Sequence, residues 1–258
     1  MALSAADRQK IASVVALLRE SSSILFITGA GISADSNLPT YRGVGGIYNN
    51  EDTEEGVPIE QALSGGMFRR RPDLTWKYLS EIEMACRGAV PNRGHEVIAK
   101  IERRFSRVWT LTQNVDAFHH AAGSRNVIDI HGNLRVLLCT VCRHRREVED
   151  YQELPIPPQC PGCGGMERPD VVLFDEMLPT DKVANLQRQL IEGFQMVFSI
   201  GTSSMFPYIV EPVIQAKRWR VPTVEINPGH TDISNMVDYK IGGGAAESLH
   251  AIWEHLEE

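Results

Sequence analysis

No apolar run in the sequence approaches the roughly 20 residues that a membrane-spanning helix requires, which argues against a helical membrane protein. The stretch 1–8 has neither the basic segment nor the apolar core of a secretory signal, so a soluble, cytoplasmic protein is expected. Basic charge is also short: 26 Lys and Arg against 33 Asp and Glu leave a net charge of −7, spread along the chain. No electrostatic footprint for nucleic acid is visible, and neither a nucleic-acid nor a membrane partner is expected. Cysteine is scarce, with five residues falling as one isolated Cys86 and two tight pairs. In a reducing cytoplasm that pattern reads as metal binding rather than a disulfide framework. Cys86 itself reads as a small apolar side chain on a helix. Internal repeats and low-complexity tracts are absent. What is present is ordinary globular composition, 43% apolar and 23% charged, in 258 residues. That length allows a full core and a small satellite lobe.

Ile11, Val14, Val15 and Leu18 recur at helical spacing, and Asp7 lies three residues after Ser4, predicting a capped amphipathic helix over 5–20. The continuous apolar run Ile24-Leu25-Phe26-Ile27 fits a strand buried on both faces and leads into Gly29-Ala30-Gly31. Similar short runs at 108–111, 127–130, 196–200 and 221–226 alternate with helical or loop segments. The expected fold is therefore α/β, a Rossmann-like parallel sheet with helices on both faces, plus a small zinc-binding lobe formed by two insertions. The expected division is 1–40, 92–134 and 176–258 for the Rossmann-like domain. The small lobe takes 41–91, with a helix over 73–87, and 135–175, which is dense in Pro and Gly.

Gly29-Ala30-Gly31-Ile32-Ser33 offers two glycines where backbone must turn sharply and approach a diphosphate, whose charge would sit at the N-terminus of a following helix. A Gly-x-Gly turn can equally be only a tight connection. Asp35 stands where a full dinucleotide fingerprint would place its third glycine. Gly201-Thr202-Ser203-Ser204 and Asn227-Pro228-Gly229 follow two later strands. Three such turns at the carboxyl ends of parallel strands converge on one crevice, which raises the case for a nucleotide.

Cys139-x-x-Cys142 and Cys160-x-x-Cys163 are separated by seventeen residues. Each pair grips a tetrahedral metal from one short turn, and four thiolates leave no open position, so one structural zinc is expected. Arg143, His144, Arg145 and Arg146 after the first pair keep a nucleic-acid-binding zinc ribbon open as a rival; a solvated loop face explains them as well.

Taken in order, these motifs resemble the sirtuin family from the first strand to Leu249. Gly29-Ala30-Gly31-Ile32-Ser33, continuing to Pro39-Thr40-Tyr41-Arg42-Gly43, is similar to the family's cofactor loop. Thr112-Gln113-Asn114-Val115-Asp116 looks like its nicotinamide and ribose segment, and His131-Gly132 sits where the family keeps its catalytic histidine. Arg168-Pro169-Asp170-Val171-Val172, running on to Glu176 and Pro179, is similar to the strand that pairs with substrate peptide. The resemblance implies NAD as cofactor, acylated-lysine proteins or peptides as partners, and nicotinamide, free lysine and O-acyl-ADP-ribose as products. It assigns catalysis to His131 and Asn114, with His131 taking a proton from a ribose hydroxyl. NAD contacts fall to Gly29, Ala30, Gly31, Ser33, Asp35, Tyr41, Arg42, Gln113, Asn114, Asp116, Gly201, Thr202, Ser203, Asn227 and Ala245. Peptide contacts fall to Val171, Val172, Phe174, Asp175 and Glu176. His119 and His120, in a helical segment, are expected to be structural.

Three departures bear on specificity. Tyr41 replaces a phenylalanine that shields the nicotinamide side, and Asp175 replaces a glycine in the substrate strand. If its side chain faces the cleft, Asp175 should disfavour acidic peptides and acyl groups. Family members that remove succinyl or malonyl groups carry a tyrosine and an arginine three residues apart; here Tyr78 is followed at that distance by Glu81, so neutral acyl groups are expected. Two alternatives stay open: a mono-ADP-ribosyltransferase or NAD glycohydrolase, and a non-catalytic module that senses NAD or holds acylated proteins through its zinc lobe.

Overall fold

Ser4 opens the first helix, accepting from Asp7 N at 3.1 Å while the Asp7 carboxylate accepts from Ser4 N and Oγ, a reciprocal cap. The computed structural model describes residues 3–38 and 53–258. Among these the helices are α1 Ala5–Glu20, α2 Ile59–Ala62, α3 Gly65–Arg70, α4 Pro72–Cys86, α5 Arg93–Arg104, α6 Phe118–Ala121, α7 Thr180–Glu192, α8 Pro207–Arg218 and α9 Ala245–Glu257. The strands are β1 Ser23–Thr28, β2 Arg107–Thr112, β3 Val127–Asp129, β4 Gly132–Cys139, β5 Arg145–Glu147, β6 Glu167–Val171, β7 Met196–Ile200, β8 Thr223–Ile226 and β9 Tyr239–Ile241. None of the described helices is long and apolar enough to cross a membrane.

Six strands form a parallel sheet in the order β3-β2-β1-β7-β8-β9. Alternation along β1 explains its apolar run. Ile24 and Phe26 pack on one face with Val14, Leu18, Ile98 and Leu249, while Leu25 and Ile27 pack on the other with Leu186, Ile209 and Val213. Helices thus cover both faces, as expected. The chain steps outward from β1 in one direction and, after β7, in the other. The reversal falls between β1 and β7, which is where ligands bind in open sheets of this kind.

The second sheet is antiparallel, β5-β4-β6, and carries the cysteines. Its apolar side shares one core with α2 to α4, in which Trp76 is fully buried, stands edge-on to Tyr151 at 5.5 Å and donates from Nε1 to Glu167 O at 3.1 Å.

Several expectations are corrected. The helix read over 73–87 begins one residue earlier because Pro72, with no N–H to lose, takes its first position. The strand read over 221–226 starts at Thr223, and β9 was not expected at all. After the glycine turn the chain forms two 3₁₀ turns, Ala30–Ile32 and Ala34–Ser36, instead of an α-helix. Asn37 then stops the winding in the left-handed region, φ 61°. Tyr41, Arg42 and the rest of 39–52 lie outside the described residues.

Candidate active site

The ends of β1 and β7 meet through glycine. Gly29 N donates to Ile200 O at 3.1 Å and Gly31 N to Gly201 O at 2.8 Å. A Cβ on Gly31 would lie 2.6 Å from Gly201 Cα, and one on Gly201, at φ +58°, would lie 2.5 Å from Ile32 N. Two backbones in contact leave no room for a side chain. Gly201→Ala is therefore expected to lower the unfolding free energy by at least the ~1–2 kcal/mol that left-handed backbone costs an alanine, read as a lower urea midpoint; an unchanged midpoint would contradict this packing.

Around this contact lies one polar network. Asn114, buried, donates from Nδ2 to Gly29 O and to Ser33 Oγ, each at 3.1 Å. Ser33 Oγ donates to Asp116 Oδ2 at 2.7 Å, and Asp116 Oδ1 accepts from Phe118 N at 2.9 Å. Burial raises the Asp116 pKa, opposed by those two donors. On the other side Gln113 Nε2 donates to Thr202 Oγ1 at 2.7 Å, and Asn227 Nδ2 donates to Thr202 O at 3.0 Å. Ser203 is exposed beside them. The three turns read from sequence are thus joined by hydrogen bonds at the sheet's reversal point.

His131 sits in the turn between β3 and β4, where the two sheets join. Its Nδ1 lies 2.9 Å from Gln113 O, which fixes the proton there and leaves Nε2 as the nitrogen with the lone pair. Burial lowers its pKa, against the opposing pull of the Gln113 carbonyl. Gly132, at φ +94°, allows β4 to press on β6: a Cβ there would meet Asp170 O at 1.9 Å. Val172 N in turn donates to His131 O at 2.8 Å. The Nε2 of His131 is 2.6 Å from Tyr208 Oη. Tyr208 belongs to no motif; the only hint of it in the sequence is an aromatic just after Pro207, beyond the Gly201 turn.

Other residues singled out from sequence have settled partners. Asp35 Oδ2 accepts from Ala246 N at 3.1 Å, at the start of α9 beside the buried Ala245. Glu176 forms a bidentate pair with Arg168, at 2.6 and 2.9 Å, and also accepts from Leu173 N. Asp175 has φ +64° and accepts from Gly66 N at 3.2 Å, so it caps the first turn of α3. Phe174 is exposed, Val171 and Val172 half-buried. His119 is buried with Nε2 2.9 Å from Thr28 Oγ1.

The sulfurs of Cys139, Cys142, Cys160 and Cys163 all lie within 4.8 Å of one another. The separations of 3.5 Å for Cys139–Cys163 and 3.7 Å for Cys142–Cys160 are close to the ~3.8 Å edge of a tetrahedron with Zn–S bonds of ~2.3 Å. Backbone N–H groups of Val141, Cys142, Gly162 and Gly165 each point at a sulfur from 3.4 Å, which favours thiolates. The donor set fits one structural zinc.

Comparison with known proteins agrees with this geometry. A model of the Sir2 family matches residues 29–207. NAD-dependent protein deacylase 2 of Pseudomonas aeruginosa is 49% identical over 249 residues, covering 95% of this chain and 97% of that protein. NAD-dependent protein deacylase 1 of Archaeoglobus fulgidus is 37% identical over 242 residues, 93% of this chain and 96% of that one. Among solved structures, a Sir2 homologue in complex with NAD superposes with a TM-score of 0.85 at 34% identity, covering 95% of this chain and 93% of that one. A Sir2–p53 peptide–NAD+ structure gives 0.79 at 28% identity, with 94% and 96% covered.

Proposed function

Because this chain belongs to the Sir2 family, we propose that it is an NAD-dependent protein-lysine deacylase with His131 as general base. The observation that carries the proposal is the orientation of His131. Gln113, whose side chain belongs to the polar network at the reversal point of the sheet, holds Nδ1 through its carbonyl and leaves Nε2 as the basic nitrogen. An imidazole kept neutral by burial is competent as a base at neutral pH.

NAD supplies the leaving nicotinamide and the ribose hydroxyl that receives the acyl group, giving nicotinamide, free lysine and O-acyl-ADP-ribose. The chain's own residues bind and orient. Gly29, Ala30, Gly31 and Gly201 let backbone approach the diphosphate, and Arg42, outside the described residues, is assigned to the same group by the family resemblance. Ser33, Gln113, Asn114 and Asp116 hold the nicotinamide and its ribose, while Thr202, Ser203 and Asn227 serve the adenosine side. Asp35 and Ala245 contribute as a pair, because the carboxylate fixes the start of α9 next to the turn. Residues Val171 to Glu176 receive the acylated-lysine peptide, with Glu176 acting through its Arg168 pair to hold the segment in shape. We place the protein in the cytoplasm and divide it as 1–40, 92–134 and 176–258 against 41–91 and 135–175. Supporting that division, α2 to α4 share one apolar cluster with β4.

Neutral acyl groups are the proposed substrates. Tyr78 donates to Glu55, and Lys77 pairs with Glu54 at 2.6 Å and Glu55 at 2.7 Å, so the cation of the helix that would read an acidic acyl group is already matched by carboxylates of the preceding loop. Asp175 is a weaker determinant, being exposed and engaged with Gly66 N. Mass spectrometry of acetyl-, butyryl- and succinyl-lysine peptides with enzyme and NAD, following nicotinamide and O-acyl-ADP-ribose together, tests both points. Turnover of the neutral peptides should exceed that of the succinyl peptide at least tenfold, the factor that ~1.4 kcal/mol produces. Preferred succinyl removal would sink the acyl assignment. Nicotinamide release without deacylation would replace the deacylase by a glycohydrolase or ADP-ribosyltransferase.

A further inference from the structure

Tyr208 follows Pro207 in the first turn of α8. Phe206 stacks on it with ring centroids 5.5 Å apart and 14° between planes, and His131 stands edge-on to both, at 6.0 and 5.9 Å. Its hydroxyl is thereby aimed at Nε2 of His131, 2.6 Å away. With Nδ1 committed to Gln113 O, the neutral imidazole accepts at Nε2 and the tyrosine donates. The nitrogen assigned as the base is therefore already occupied. A phenolic oxygen that has given its one proton to a bond keeps two lone pairs, so it can accept from a second hydroxyl at the same time.

We propose that Tyr208 relays the proton from the substrate hydroxyl to His131, an assignment that rests on the deacylase reading. The substrate O–H bond breaks and a new Tyr208 Oη–H bond forms. In the same movement the tyrosine's original O–H bond breaks and Nε2–H forms. The tyrosine ends neutral, the imidazole ends as imidazolium, and the substrate oxygen keeps the electron pair. Nε2–H then donates back to Oη in a charge-assisted bond, roughly twice as strong as the neutral one it replaces. That bond offsets part of what burial costs the imidazolium. Burial also pushes Tyr208 itself up to about 12, so it passes a proton without ionising at neutral pH.

The other groups around His131 do not compete for this role. Lys182 of α7 disfavours the imidazolium but is tied to Asp129 of β3 at 2.8 Å, and His120 of α6 lies 3.9 Å from the same carboxylate. Gln113 contributes only its carbonyl to Nδ1.

Tyr208→Phe tests the relay while keeping the ring and its packing. In free, isotopically labelled enzyme, NMR titration should show the His131 pKa falling by about half a unit or more, the loss expected for one charge-assisted bond. In single-turnover deacylation the plateau rate should drop about tenfold or more, its acid limb should move to lower pH, and the curved proton inventory of two protons in flight should become linear. An unchanged His131 pKa with an unchanged rate overturns the proposal. A faster variant overturns it too, since the hydroxyl would then be only an obstruction at Nε2. Failure of the deacylase reading shows separately, as wild-type enzyme without turnover, because the NMR titration needs no NAD.

Discussion

His131→Ala is expected to lower NAD-dependent deacylation by about 10²- to 10⁴-fold, the range a positioned general base supplies. Zinc content and fold should be unchanged, because the four cysteines lie at or beyond the far end of β4 and, among the described residues, the histidine side chain bonds to Gln113 O and Tyr208 Oη. The pH dependence of the wild type follows from burial. The His131 pKa is depressed below its ordinary 6.5, so the imidazole is neutral and competent at pH 7. The rate should fall only when pH drops through that depressed value and protonation removes the Nε2 lone pair. Linkage gives the matching sign for stability: the unfolded chain binds this proton first. The contribution of neutral His131 is thus full above pH 6.5 and declines as pH falls from there toward the folded value. Rates of His131→Ala and wild type over pH 5–8, measured by nicotinamide and deacylated peptide together, check both statements. Retained deacylation in the variant would remove His131 from the mechanism; retained nicotinamide release without deacylation would limit its role to the second half of the reaction.

Much of this site was legible because its signals are local. Ile24 to Ile27 show a strand buried on both faces, and the cysteine pairs declare tetrahedral ligation through spacing alone. Illegible features depend on distant parts of the chain meeting. Asp35 resembled a failed third glycine; its partner, Ala246 N, is 211 residues away. Tyr208 belongs to no sequence motif, and only the fold sets it against a turn 77 residues earlier. The expected helix after Gly31 failed for a local reason, the left-handed turn at Asn37. β9 is not legible because three residues at a sheet edge, two half-buried and only Ile241 buried, carry little alternation to read. Asp175 was read for its charge, whereas its backbone at φ +64° and its bond to Gly66 N explain its position more directly.

Cys142→Ser should release the zinc and melt the small lobe, since in a structural site binding free energy is folding free energy. The exposed Cys142 is chosen because its own side chain contributes little packing, so the effect measured is that of the metal. With three ligands left, the two knuckles lose the common centre that holds β4 to the loop between β5 and β6. The Arg146–Glu167 pair depends on that arrangement: Glu167 is fully buried and Arg146 reaches it at 2.6 Å. Glu167 O is also the acceptor for Trp76, so disorder at the knuckles reaches the core of the lobe. Separating a buried ion pair costs about 3–5 kcal/mol, which for a chain of this size corresponds to roughly 10 °C or more in melting temperature. The six-stranded sheet has its own core and should keep its helix and strand content. Activity should nevertheless fall, because β6 runs into Val172, whose N–H holds His131 O at 2.8 Å. Metal analysis, thermal melting and deacylation of the variant, alongside wild type treated with a strong chelator, form the test. A zinc-free protein that melted and turned over like the wild type would show that the four cysteines do not carry the lobe.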